Sequence, residues 1–257
     1  MATKYAGVDL SYANDDVDYI ALKAGAIKDY KVKFAMLRLG HGTTKDKLFD
    51  KHYNGCKAAG IYVGVYHWTY AITPAEARRE AEWAVKELAN YNIDYPAALD
   101  FEDESILNKG LSKAQYTAIC KAYLDTLYAA NYYPMLYCNP NVIDNYINLK
   151  ELPYELWLAQ YTSEGFQRDF GQGMWQFTVA GNPTLDYGKV GAVEGVKGQC
   201  DCNWAYTGYA AKILKLGLNK PIVRYGVTGT KTVDQNNLNE AEAQLKALGF
   251  EVTTEKI

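Results

Sequence analysis

Eight short apolar runs, the earlier ones separated by helix-like segments, constrain this chain more than any other feature. The runs are YAGVDLS, KFAMLRLGHG, IYVGVYHWTY, YPAALDFED, YPMLYCN, ELWLAQY, GMWQFT and GQCDCNWAY. Between the early ones lie VDYIALKAGAIKDY, DKLFDKHYNGCKAAG ending at Gly60, PAEARREAEWAVKELANY opened by Thr73 and Pro74, and SKAQYTAICKAYLDTLYAAN opened by Ser112. A Ser or Thr N-cap, a proline in the first turn and a glycine just past the end are ordinary helix boundaries. Strands alternating with helices indicate parallel βαβ units, and eight of them fit a closed β/α barrel of the TIM type. A doubly wound sheet would carry a glycine fingerprint after a strand, and no G-x-G-x-x-G occurs. The later runs are joined by loops, so the expectation is an irregular TIM-like barrel with about eight strands and fewer helices.

Near Leu218 the pattern restarts. NKPIVRYGVTGTK, LNEAEAQLKALG and FEVTTEKI read as strand, amphipathic helix and strand. That is one βαβ unit, near the ~40-residue limit below which chains seldom fold unaided. The expected organisation is a barrel domain over 1–216 and a small appendage over 217–257. The appendage is expected to be half a domain, or to dock on the barrel or on a partner.

Composition excludes several classes. Hydrophobic residues make up 49% of the 257 and charged residues 22%, with a net charge of −3. A nucleic-acid binder carries a basic stripe; here Lys and Arg are scattered. No run of about 18 apolar residues exists to span a membrane. The N-terminal MATKYAGVDLSYAND lacks a charged-then-apolar signal layout, so the expectation is synthesis in the cytoplasm without a signal peptide. Five cysteines, an odd number, argue against a disulfide framework. Cys200 and Cys202 in QCDCN have no second Cys or His pair to complete a zinc site; no metal and no cofactor are expected. The 23 tyrosines supply rings with a polar handle, suited in part to stacking on sugars.

The chemistry lies in the acids at strand ends. In β/α barrels the active site sits at the C-terminal rim of the strands. Asp9 ends the first run, Asp100 and Glu102 the fourth, and Asp201 lies in the last. Asp100 and Glu102 are two apart, so they share a strand face with Cα atoms ~6.6 Å apart. Phe101 points the other way. Asp103 and Glu104 read as exposed loop acids. Paired carboxylates are the equipment of glycoside hydrolysis: one protonates the leaving oxygen, the other stabilises charge or positions a nucleophile. Inversion, direct carboxylate attack and attack by a substrate acetamido group all remain open at this spacing. No nucleophile elbow or P-loop competes. His67 reads as a structural histidine rather than a base.

Taken in order, GVDLS, KFAMLRLGHG, GIYVGVYHWTYA, YPAALDFED, YYPMLYCN, LWLAQY and MWQFT resemble the glycoside hydrolase family 25 lysozymes. These are the Chalaropsis-type N-acetylmuramidases of phage endolysins and bacterial autolysins. The resemblance runs over about residues 5–209; for the tail beyond it, 217–257, it implies a partial wall-binding module, with self-association the alternative. It implies cleavage of the β-1,4 bond between N-acetylmuramic acid and N-acetylglucosamine in cell-wall peptidoglycan. It makes Glu102 the proton donor and Asp100 the residue that orients the acetamido group or stabilises the charged intermediate. Asp9 and Asp201 become flanking acids, and Tyr66, Tyr137, Trp157, Gln160 and Trp175 line the cleft. Two departures stand out: Tyr12-Ala13-Asn14 replaces an aromatic-Gln pair after the first strand, and QCDCN replaces V-D-L-N. The expected biology is that of an endolysin, reaching the wall once the membrane is permeabilised. The competing readings are a chitinase-like hydrolase and a catalytically silent wall-binding barrel.

Overall fold

The computed structural model describes residues 4–161, 168–178, 193–198 and 200–219. In chain order the elements are β1 (Tyr5–Leu10), α1 (Tyr19–Ala24), β2 (Ala26–Ile27), β3 (Tyr30–His41), β4 (Thr44–Lys45), α2 (Phe49–Ala58), β5 (Tyr62–Trp68) and α3 (Pro74–Leu88). There follow β6 (Ala97–Asp100), α4 (Glu104–Leu107), α5 (Lys113–Ala129), β7 (Pro134–Cys138), α6 (Pro140–Asn145), β8 (Glu155–Ala159), β9 (Met174–Gln176), β10 (Asp201–Ala205) and α7 (Tyr209–Leu216). Strands β1, β3, β5, β6, β7, β8, β9 and β10 form a barrel, closed where β1 pairs with both β3 and β10. The expected barrel is therefore present. The expected βαβ appendage falls outside the described residues, apart from 217–219.

The predicted helix boundaries have the chemistry that the sequence implied. Thr73 accepts a hydrogen bond from the Glu76 N–H, with Pro74 next in line. Ser112 and Gln115 form a reciprocal capping box. Gly60 takes φ +70°, a conformation that carries no steric penalty for glycine. The first helix is shorter than its pattern suggested. It stops at Ala24, and Ala26–Ile27 turns back through Lys28, at φ 52°, to pair with β3.

Strand alternation divides the core in two. Outward residues such as Val8, Leu37, Leu99 and Phe101 pack beneath the helices. Inward residues such as Phe34, Met36, Tyr95, Met135 and Trp157 fill the barrel. Rings this large fit only because neighbouring positions are empty. A Cβ on Gly7 would lie 2.4 Å from the Phe34 ring, which stacks on Tyr95 at 4.5 Å. Gly7→Ala is therefore expected to destabilise the fold by about 1–3 kcal/mol through overpacking. Urea unfolding measures it, and a change below about 0.5 kcal/mol would show that Phe34 is not fixed there.

The floor of the barrel is closed by polar groups. Glu155 accepts hydrogen bonds from Tyr133, at 2.6 Å, and from Tyr209 and Lys212 of α7. Burial alone would raise the Glu155 carboxyl, but these donors hold it below its usual value. Asn219 is buried, donating to the Tyr95 carbonyl and accepting from the Tyr133 N–H, both at 2.8 Å.

One strand runs against expectation. β10 pairs antiparallel with both β1 and β9. Asp201 therefore opens its strand, whereas the other rim acids close theirs. The reversed direction is what puts Asp201 in register with Asp9.

Candidate active site

The rim ladder brings the acids together. Asp9 is the partner of Asp201 across β1 and β10, and Asp100 the partner of Trp68 and Tyr137 across β5, β6 and β7. Past the end of β6, the Phe101 N–H still donates to the Tyr137 carbonyl at 3.0 Å. The chain thus stays extended for one more residue. Phe101 turns outward against Tyr116, fully buried, and Asp100 and Glu102 face inward. Asp9, Asp100, Glu102 and Asp201 all line one pocket of about 90 Å³.

Its remaining walls are aromatic and amide. Tyr66, Trp68, Tyr137, Trp157 and Gln176 line it. Trp157 is almost completely buried, edge-on to Tyr137 at 4.7 Å, and donates its indole N–H to Asn203 at 2.8 Å. It is at once barrel packing and pocket floor. Trp68 is held by Asp103, whose carboxylate accepts the indole N–H at 3.0 Å. Asp103 also caps α4 through the Ser105 N–H. Burial nudges the Asp103 carboxyl up, yet the Ser105 and Trp68 donors hold it below its usual value. So Asp103, read as a loop acid, orients a pocket wall, while Glu104 is exposed in the first turn of α4.

Two expected cleft residues lie elsewhere. Trp175 faces the helix layer, packs on Phe177 and donates to the Gln160 carbonyl at 2.7 Å. Gln160 lies just past β8, its backbone N–H bonded to the Gln176 carbonyl, and it is not among the pocket residues. In their place the structure supplies Trp68, Gln176 and, behind them, Asn203. Parity along each strand carried the signal: Trp68 shares a face with Tyr66, and Gln176 with inward Met174 rather than with Trp175.

The electrostatics follow from burial. Asp100 is 3% exposed, and its Oδ1 has no hydrogen-bond partner among the described residues. Burial, then the Glu102 and Asp9 charges, push its carboxyl well above the usual range. Burial, then Asp9 and Asp103, raise Glu102 to about 7. Burial raises Asp9 to about 6 against two hydrogen bonds that favour its charged form. The Arg38 guanidinium opposes the shift of Asp100 and is itself tied to Asp46 at 2.7 Å. A buried acceptor without a donor costs about 1–3 kcal/mol. Such a cost is tolerated at sites that await a ligand.

The other reactive side chains are structural. His67 is buried among the helices, stacks on Tyr123 and donates from Nε2 to the Gly42 carbonyl at 2.9 Å. Burial lowers its pKa to about 4, so it is neutral at pH 7. All five cysteines are buried, and none is in a disulfide. No helix among the described residues is long and apolar enough to cross a membrane.

Comparison with known proteins agrees with this geometry. The glycosyl hydrolases family 25 profile matches residues 8–184. An autolytic lysozyme of Clostridium acetobutylicum is 25% identical over 198 residues, covering 76% of this chain and 54% of that one. The modular autolysin LytC of Streptococcus pneumoniae, solved with a synthetic peptidoglycan ligand, superposes with a TM-score of 0.65. It is 21% identical, over 78% of this chain and 46% of its own. The CTP1L endolysin superposes with a TM-score of 0.64 at 24% identity, over 95% of this chain and 80% of its own. The last two likenesses concern the fold. The chain spans about half the length of the lysozyme and of LytC.

Proposed function

The chain belongs to the glycosyl hydrolases of family 25, and from that premise we propose that its rim pocket is the active site of a muramidase. The substrate is bacterial peptidoglycan, cut at the β-1,4 bond between N-acetylmuramic acid and N-acetylglucosamine. The observation that carries this reading is the unpartnered, buried Oδ1 of Asp100 beside a Glu102 that holds its proton up to about pH 7. A sugar with a 2-acetamido group supplies the missing donor. Its N–H on Asp100 Oδ1 favours the charged carboxylate and turns the acetamido oxygen toward the anomeric carbon. Glu102 protonates the departing glycosidic oxygen as the acetamido oxygen attacks the anomeric carbon and the glycosidic C–O bond breaks. Water then opens the cyclic intermediate, with Glu102 taking its proton back as base. Two inversions give net retention.

Digestion of purified peptidoglycan, followed by mass spectrometry of the new ends, tests the reading. N-Acetylmuramic acid at the reducing end is expected. N-Acetylglucosamine there, with cleavage of chitin oligomers, would establish a chitinase-like hydrolase instead. Wall binding with no sugar released would leave a silent binding barrel. We extend the proposal to an endolysin made in the host cytoplasm and reaching the wall after membrane permeabilisation. What favours it is the barrel's likeness to an endolysin. Expression in the host with and without a membrane-permeabilising partner tests it, lysis being expected only with the partner.

A further inference from the structure

The pocket treats its acids unequally, and the cause lies behind Asp9. Gln176 Nε2 and Asn203 Nδ2 both donate to Asp9 Oδ2 at 2.9 Å. Their strands pair with the two residues in register. Both amides are buried, at 4% and 0% exposure. The Asn203 carbonyl faces the Trp157 indole N–H at 2.8 Å, a group that can only donate. Its NH2 is therefore turned to Asp9. The Gln176 carbonyl accepts the hydroxyls of Tyr137 and Tyr161, at 2.8 and 2.9 Å. Were it reversed, two acceptor oxygens would meet unless Asp9 carried a proton. Two donors on one carboxylate oxygen select the charged form.

We propose that Gln176 and Asn203 are positioning residues that hold Asp9 as the standing anion of the pocket, and that this charge keeps the proton on Glu102. The donor role of Glu102 rests on the muramidase reading; the charge assignment does not. The Asp9 charge acts on Asp100 on β6, Tyr66 on β5, Tyr161 past β8 and the Cys200 thiol, and Asp201 on β10 lies in register with it. Glu102 is faced by Asp100, Asp103, Tyr137, Tyr161 and Cys138. Arg38 on β3 acts on Asp100 and Tyr66. Every tyrosine and thiol among these is held neutral at working pH by burial first, with the neighbouring carboxylates adding to it, or for Cys200 by its hydrogen bond with Cys202 and then burial. Proton placement is thus decided among the carboxylates, and the amide pair tips it toward an ionised Asp9.

Asp9→Asn is the cleanest probe. Its side-chain oxygen still accepts both amides, so the bonds stay and only the charge goes. In the free protein, carbon-13 NMR of labelled glutamate should show the Glu102 carboxyl titrating about one pH unit lower than in wild type. Gln176→Met and Asn203→Leu should move it the same way, and each should add little to Asp9→Asn. The alkaline limb of kcat/KM on peptidoglycan should shift down by the same amount. If Glu102 titrates unchanged in Asp9→Asn, the charge has no such role. If Asp9→Asn moves it and folded Gln176→Met does not, the amide pair is merely structural. The NMR reading needs no substrate. Absent sugar release therefore overturns the muramidase reading alone, and an unmoved Glu102 overturns this one alone.

Discussion

Glu102→Gln is expected to lose peptidoglycan hydrolysis by about 10²–10⁴-fold, the usual worth of a positioned general acid, while the circular dichroism spectrum stays that of wild type. Glutamine keeps the shape of the side chain and has no proton to give the glycosidic oxygen. The same chemistry sets the pH dependence. As the proposed proton donor Glu102 acts only while protonated, and burial with the Asp9 and Asp103 charges places its pKa at about 7. Wild-type activity should therefore fall as pH rises through about 7, tenfold per unit. Glu102→Gln should have lost that limb, leaving a residual rate that no longer follows the titration. Reducing-end release measured from pH 5 to 9 checks both features. Near-wild-type rates in Glu102→Gln would remove Glu102 from the chemistry.

The site was legible in the sequence to the extent that it obeys strand parity. Asp100, Phe101 and Glu102 alternate in a run with no turn residue, and the structure keeps that alternation one residue beyond the last ladder position of β6. Parity separates Tyr66 and Trp68 from His67 just as cleanly. The family resemblance puts Trp175 in the cleft, whereas strand parity gives the inward position to its neighbour Gln176. The alternation rule locates the pocket where the motif match does not. Asn203 illustrates a different limit. Its role depends on β10 lying antiparallel between β1 and β9. A pairing direction between strands far apart in the chain leaves no mark on local periodicity. The eight strands and the helix caps were legible for the opposite reason: N-caps, glycine ends and apolar alternation are local. Asp103 shows both effects. Its cap on α4 is a local device, whereas its hold on Trp68 spans two strands.

The carboxyls proposed to perform the reaction should weaken the fold, and removing them should show it. Glu102→Gln is expected to raise thermal stability at pH 8 and to leave it unchanged at pH 4. The sign follows from linkage. A carboxyl whose folded pKa is above its unfolded one binds more protons in the folded state, so stability falls as pH rises between the two values. For Glu102 that window runs from the usual 4.5 up to about 7. Below it the wild-type side chain is neutral in both states and costs nothing. Above it the charge is forced into a buried pocket beside other acids. A full shift of this size corresponds to about 3 kcal/mol, and partial solvent access over Glu102 screens it to about 1–2 kcal/mol. In a protein of this size that is a rise in Tm of about 3–6 °C. Calorimetry of wild type and variant at pH 4 and pH 8 measures it. An equal Tm difference at both values would mean that packing, not charge, is responsible. Asp100→Asn should behave in the same direction, since burial and its acidic neighbours Glu102, Asp9 and Asp103 raise it too. Each variant also relieves the acid that remains, so the double variant should gain less than the sum of the two. That shortfall measures the repulsion that favours a retained proton in the pocket.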